Sequence, residues 1–220
     1  ASEGATVVIG YQSSAIAAEA LVADIEARGG RASAVRADAA DPAALARVID
    51  GVAERFGRLD ILVNSAGVLY LAPIDQFTID DFDKTIAVNV RGVFAASKAA
   101  AAHMGEGGRI INIGSTNAGR MPFMGGAVYA MSKSALTGLV KGMARDLGGR
   151  GITVNNVNPG PVDTDMNPAE GDFADALHGL MALPRHGHAD EIAGMVAYLA
   201  SAEAAFVTGA DLLIDGGFAA

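Results

Sequence analysis

Leu59-Asp60-Ile61-Leu62-Val63-Asn64-Ser65-Ala66-Gly67 is an apolar run that breaks off into a polar turn ending in glycine. A short Leu/Ile/Val run has the length of a buried strand. Asn64 to Gly67 supply the turn chemistry that stops it. The pattern returns at Arg109-Ile110-Ile111-Asn112-Ile113, ending in Gly114-Ser115, and at Thr153-Val154-Asn155-Asn156-Val157, ending in Asn158-Pro159-Gly160. Further strands are expected at Thr6–Ile9, Ala34–Ala37 and Ala210–Ile214. Helices are expected between them. One runs from Ser14 to Arg28 and is stopped by Gly29-Gly30, and one is capped by Asp41, with Pro42 first, and runs to Phe56. Others cover Ile79–Met104 in two pieces, a segment ending near Leu147, and Asp190–Ala200. Strands alternating with helices imply right-handed crossovers, hence one α/β domain over residues 1–220 with a doubly wound, mostly parallel sheet. Such sheets bind ligands beyond the carboxyl ends of their strands. Asp38, Asn64, Ser115 and Asn158-Pro159-Gly160 all fall there.

Composition narrows the function. Hydrophobic residues make up 51 % of the chain, aromatics 5 %, and there are 28 Gly, which suits helices packed closely on a parallel sheet. A net charge of −9 argues against nucleic acid as partner, because backbone phosphates need clustered Lys and Arg. There is no Cys, so disulfides and thiolate metal sites are excluded. No apolar run reaches the roughly 18 residues that span a bilayer, so no membrane association is expected and a cytoplasmic location is. His186 and His188 read as polar loop residues, since no third ligand stands at metal-binding spacing.

Chemistry is concentrated in Tyr129-Ala130-Met131-Ser132-Lys133. A four-residue step sets Tyr129 and Lys133 one turn apart on one helix face. A cation within about 4–6 Å favours a phenolate, so Lys133 is expected to draw the Tyr129 pKa down from about 10. Ser115, at a strand end, could hold a carbonyl oxygen against the phenol. The set suits moving a proton at an oxygen while a hydride moves at the attached carbon.

Taken in order, these residues resemble the classical branch of the short-chain dehydrogenase/reductase family, over essentially the whole chain. Asn64-Ser65-Ala66-Gly67 is similar to its Asn-Asn-Ala-Gly motif, and Asn89 within Val88-Asn89-Val90 to its helix asparagine. Pro159-Gly160-Pro161-Val162-Asp163-Thr164 and Ile214-Asp215-Gly216-Gly217 resemble its Pro-Gly segment and C-terminal signature. The resemblance implies a Rossmann-like fold, a homotetramer or homodimer, and reversible reduction of a ketone or aldehyde. Tyr129 would be acid and base, Ser115 would orient the carbonyl, and Lys133 would hold the nicotinamide ribose. Asn89 would hold a relay water. Asp38 and Ala39 would border the adenine, and Asn64, Ala66 and Gly67 the adenosine ribose. Pro159, Gly160, Val162 and Thr164 would border the nicotinamide. Each also has a plainer reading: Asn89 as a helix-kink residue, Asp38 and Asn64 as turn caps, Gly160 as turn punctuation.

The end of the first strand, Gly10-Tyr11-Gln12-Ser13, lacks the carboxylate that NAD-using members carry, while Tyr11 and Ser13 could contact a 2′-phosphate. NADP(H) is therefore expected over NAD(H). An apolar pocket is expected from Val68-Leu69-Tyr70 and Met121-Pro122-Phe123, with a lid over Asp163–Leu183. Two alternatives stay open. One is a 3-oxoacyl-carrier-protein reductase, with Arg120 and Arg185 meeting the acidic carrier. The other is a non-catalytic, cyclic-di-GMP-binding regulator, suggested by Gly119-Arg120-Met121-Pro122 and Phe206-Val207-Thr208-Gly209-Ala210.

In this family a strand and a Gly-x-x-x-Gly-x-Gly turn precede the strand at Thr6–Ile9. The opening Ala1–Ala5 reads instead as the end of a helix. The family strand would lie between Thr6–Ile9 and Leu59–Val63. Without it two strand edges stand unpaired, at about 1–3 kcal/mol for each orphaned buried group. The 220 residues are thus expected to belong to a longer protein and to bind a dinucleotide poorly alone.

Overall fold

The computed structural model describes all 220 residues. In chain order the elements are β1 (Thr6–Tyr11), α1 (Ala15–Ala27), β2 (Arg31–Arg36), α2 (Pro42–Phe56), β3 (Ile61–Asn64), α3 (Ile79–Ile86) and α4 (Val93–His103). Then follow β4 (Arg109–Ile113), α5 (Ala127–Gly148), β5 (Thr153–Pro159), α6 (Asp172–His178), α7 (Ala189–Ala200) and β6 (Asp211–Ile214). A π-helical turn, Ala87–Gly92, joins α3 to α4, so the expected long helix does come in two pieces.

Every strand pair is parallel, in two sheets ordered β1-β2 and β3-β4-β5-β6. The division falls between β1 and β3: β1 pairs only with β2, and β3 only with β4. Burial follows the same line. Ile110, Ile111, Val154 and Val157 are sealed inside β4 and β5, whereas Val63 of β3 is 40 % exposed.

The four-stranded sheet is covered on both faces. Ile110 and Val154 pack with Ile49 of α2, Ala96 and Ala100 of α4, and Val140 and Leu147 of α5. Ile111 and Val157 point the other way, onto Leu199 of α7. This is the strand alternation of a doubly covered sheet, and it forces both faces to be apolar. Local chemistry fixes the helix ends. The Asp41 carboxylate accepts from the N–H groups of Ala43 and Ala44 at 2.8 and 3.1 Å, and Gly57 closes α2 at φ 71°. No helix is long and apolar enough to cross a membrane.

The lid segment differs from its expected form. It contains α6, and His186, just beyond it, is a buried loop residue and not an exposed one. The His186 ring lies edge-on to His178 with Nδ1 2.7 Å from the His178 Nε2. Burial first, and His178 second, hold the His186 pKa below its usual value, against an opposing pull from Asp163.

Candidate active site

Ser115 follows β4 in extended backbone and starts the 3₁₀ turn Thr116–Ala118, its hydroxyl accepting from the Asn117 N–H at 3.1 Å. The next residue, Thr116, is buried and donates to Asp215 at 2.9 Å. Asp215 also accepts from the N–H groups of Gly217 and Ala219, so the C-terminal turn braces the Ser115 loop. Gly160 packs on that brace: a Cβ there would lie 2.7 Å from the Asp215 Cα. Only glycine permits this approach, which explains the Pro159-Gly160 pair better than turn punctuation does.

Tyr129 and Lys133 lie on α5, as the spacing predicts. Lys133 is buried and its Nζ donates to the Ile113 carbonyl at 2.8 Å. Loss of water lowers its pKa to about 8. Burial raises the Tyr129 pKa, while the Ser115 hydroxyl beside it works the other way. This corrects the expectation that Lys133 sets the acidity of the phenol. Its Nζ stands 5.8 Å from the Tyr129 ring centre, and the shift of the phenol comes from desolvation and, against it, from Ser115.

Asn89 sits in the π-helical turn, fully buried. Its Oδ1 accepts from the Val68 N–H at 2.9 Å, and its Nδ2 donates to the Val68 carbonyl at 3.0 Å and to Ser132 Oγ at 3.1 Å. Ser132 Oγ in turn donates to the Tyr129 carbonyl at 2.7 Å. The side chain therefore clamps the turn after β3 to the helix bearing Tyr129. Gly67 lies over this clamp, for a Cβ there would be 3.6 Å from both Asn89 Oδ1 and Lys133 Nζ. Ser115, Tyr129, Lys133, Asn89 and Gly67 are thus brought to one place.

The other candidates are more scattered. Asp38 accepts from the Ala40 N–H at 2.8 Å, a turn cap, and a Cβ on Gly92 would meet the Ala39 carbonyl. The Tyr11 carbonyl accepts from Ala37, which keeps the ends of β1 and β2 together, with Ser13 exposed just beyond. Val162 bridges Gly187, and Thr164 bridges Asn167, at the root of the lid. Asn64 turns its amide sideways, to Ser97 at 3.1 Å and Asn112 at 2.8 Å. Sequence reading missed the buried Ser132, Asn112 and Asn156 and the half-buried Asp211. Three strands carrying Asn, a residue disfavoured there, were the available signal.

Several cavities are formed, two of them well defined. One of about 230 Å³ is lined by Leu71, Ala72, Pro73, Met124 and Gly125, next to the expected substrate pocket. The larger, about 360 Å³, lies between β2 and α2 around Val35, Val48 and Val52, away from these residues. A nicotinamide dinucleotide is compatible with the residues present: the Cβ-free space of Gly67 lies over Lys133, and the Asp38–Ala39 turn lies across the division between the sheets.

The chain matches the family model described as enoyl-(acyl carrier protein) reductase over residues 1–219. It is 50 % identical over 219 residues to the cyclic-di-GMP-binding biofilm dispersal mediator protein of Escherichia coli, covering all of this chain and 89 % of that protein. Its structure superposes on a short-chain dehydrogenase/reductase from Serratia marcescens with TM-score 0.99 at 60 % identity, covering 100 % of this chain and 90 % of the other. A short-chain dehydrogenase from Burkholderia cenocepacia, solved in complex with NADP, gives TM-score 0.97 at 53 % identity, covering 100 % and 89 %. At such identity along its whole length, the chain belongs to the short-chain dehydrogenase/reductase family of oxidoreductases.

Proposed function

We propose that the protein reduces a ketone or aldehyde to an alcohol, reversibly, with NADP(H) in preference to NAD(H). The observation that carries this is the convergence of Ser115, Tyr129 and Lys133 at the end of β4. The cofactor, when bound, supplies or takes up the hydride. The protons fall to the chain. Tyr129 is kept neutral by burial, so it is the acid that gives its proton to the carbonyl oxygen, and the base that recovers it in oxidation. Ser115 holds the same oxygen. Lys133 holds the nicotinamide ribose, and its charge steadies the phenolate left behind. Asn89 holds the relay water beside Lys133. Val162 and Thr164 hold the carboxamide beside Pro159 and Gly160, Asp38 and Ala39 the adenine, and Asn64, Ala66 and Gly67 the adenosine ribose. Tyr11 and Ser13 meet the 2′-phosphate. NADP in the Burkholderia cenocepacia neighbour supports that preference. The apolar cavity at Leu71–Pro73 suits a substrate with a hydrophobic substituent. By family habit the protein is a homotetramer or homodimer acting in the cytoplasm.

The Escherichia coli relative's name favours a second reading, a cyclic-di-GMP-binding regulator that keeps this machinery. The family model's description favours an acyl-carrier-protein reductase. Against the latter, Arg185 is already paired with Glu191 at 2.7 Å and Arg120 lies over the Phe218 ring at 5.3 Å. Calorimetry with NADPH, NADH and cyclic-di-GMP separates these readings. Selective NADPH binding supports the reductase; cyclic-di-GMP binding without NADPH binding overturns it.

A further inference from the structure

Four side chains form a continuous rung across the four-stranded sheet. Asn64, Asn112, Asn156 and Asp211 are register partners, one from each of β3, β4, β5 and β6. Asn64 Nδ2 donates to Asn112 Oδ1 at 2.8 Å, Asn112 Nδ2 to Asn156 Oδ1 at 3.0 Å, and Asn156 Nδ2 to Asp211 Oδ1 at 2.8 Å. Asn112 and Asn156 are at most 1 % exposed. Two residues earlier on the same face stand Leu62, Ile110 and Val154, in the core under α4 and α5. The rung therefore caps the apolar core just below the catalytic edge.

The rung has a direction. An ionised carboxylate only accepts, so Asn156 must turn its NH₂ toward Asp211. Its oxygen then faces Asn112, whose oxygen faces Asn64. Reversing one amide sets two oxygens or two NH₂ groups against each other in a buried layer, where each unpaired group is costly. At the far end both N–H bonds of Asn64 are used, on Asn112 and Ser97. Oδ1 is the atom left for Asn64 to offer at the strand end. At the near end Thr137 of α5 donates to Asp211 at 3.1 Å. Thr137 continues the row of Tyr129 and Lys133 at four-residue steps, on one face of that helix.

We propose that Asp211 is a positioning residue: it orients the Asn156–Asn112–Asn64 relay, so that Asn64 presents its oxygen to a hydroxyl or N–H donor of the bound nucleotide, and it pins the face of α5 that carries Tyr129 and Lys133. This rests on the reading of Asn64 as a cofactor residue. Asp211→Asn keeps shape and hydrogen-bonding capacity but removes the compulsory acceptor. Its first readout is the side-chain amide NMR signals of Asn64, Asn112 and Asn156, without nucleotide. Its second is NADPH affinity by calorimetry. Ile152→Val, a core change of similar cost to the fold, is the control. The expected result is doubled or exchange-broadened amide signals in Asp211→Asn, with NADPH affinity lower by about three- to tenfold, and neither change in Ile152→Val. Single, unshifted amide signals overturn the relay. Doubled signals with unchanged affinity overturn its role in binding. If the unmodified protein binds no NADPH, the cofactor reading fails, and with it that role; the amide signals alone then decide the relay.

Discussion

Lys133 Nζ donates to the Ile113 carbonyl at 2.8 Å, so the ammonium of the catalytic helix is tied to the end of β4, two residues before Ser115. The bond holds a charge where water does not reach, and burial draws its pKa from 10.5 to about 8. The folded-state value lies below the unfolded one. Below pH 8 both states are charged and the full penalty stands. Between pH 8 and 10.5 only the unfolded chain stays protonated, so stability rises with pH, by about 3 kcal/mol at most. Tyr129, with its pKa raised, opposes this above pH 10. Lys133→Met should be more stable than the parent near neutrality and lose the rise. Denaturant midpoints on both proteins across this range check it; parallel curves would contradict it.

Gly160→Ala should be destabilising and should slow turnover. The new Cβ would stand 2.7–2.8 Å from Asp215, whose carboxylate is held by Thr116, Gly217 and Ala219 and cannot give way freely. A loss of about 1–3 kcal/mol is expected in urea unfolding. An unchanged midpoint would mean that the Pro159 turn relaxes without cost.

Much of this was legible beforehand because β4 and β5 are buried on both faces, so their apolar runs Ile110–Ile111 and Val154–Val157 could be read directly. The start of β2 was not, because Arg31, Ala32 and Ser33 carry no apolar run and are strand only through their ladder with Thr6, Val7 and Val8. The π-helical turn at Asn89 is invisible to periodicity, and so is the bond it lets Asn89 make to Val68, 21 residues away. Ser115, Tyr129 and Lys133 could be picked out by spacing. Their balance of acidity could not, because burial decides it. Asn112, Asn156 and Asp211 needed the strand register before they formed a set.

Phe123 and Phe173 meet edge-on, ring centres 5.9 Å apart, joining the loop after Ser115 to α6 of the lid. Such a contact contributes about 0.5–1.5 kcal/mol beyond its area. Phe173→Ala should leave the thermal midpoint almost unchanged, because Phe173 is 54 % exposed, yet raise KM for ketones with large apolar groups more than for small ones. A uniform effect on kcat across substrates would count against a role in the pocket.

The His178–His186 contact should make the lid acid-sensitive. The folded-state pKa of His186 lies below its usual value, so stability is complete above about pH 6.5 and is lost as pH falls toward that lower value. His186→Phe should flatten the thermal midpoint over this acid range. A slope equal to the parent's would place the sensitivity elsewhere.

The most direct test of the reductase account is NADPH consumption with a panel of ketones and aldehydes, by the unmodified protein and by Tyr129→Phe, with circular dichroism on both. The account predicts that the turnover of the first, weak as it is in these 220 residues alone, falls at least about a hundredfold in the second with an unchanged spectrum. Near-parent turnover by a folded Tyr129→Phe protein would contradict the assignment of Tyr129 as the acid and base.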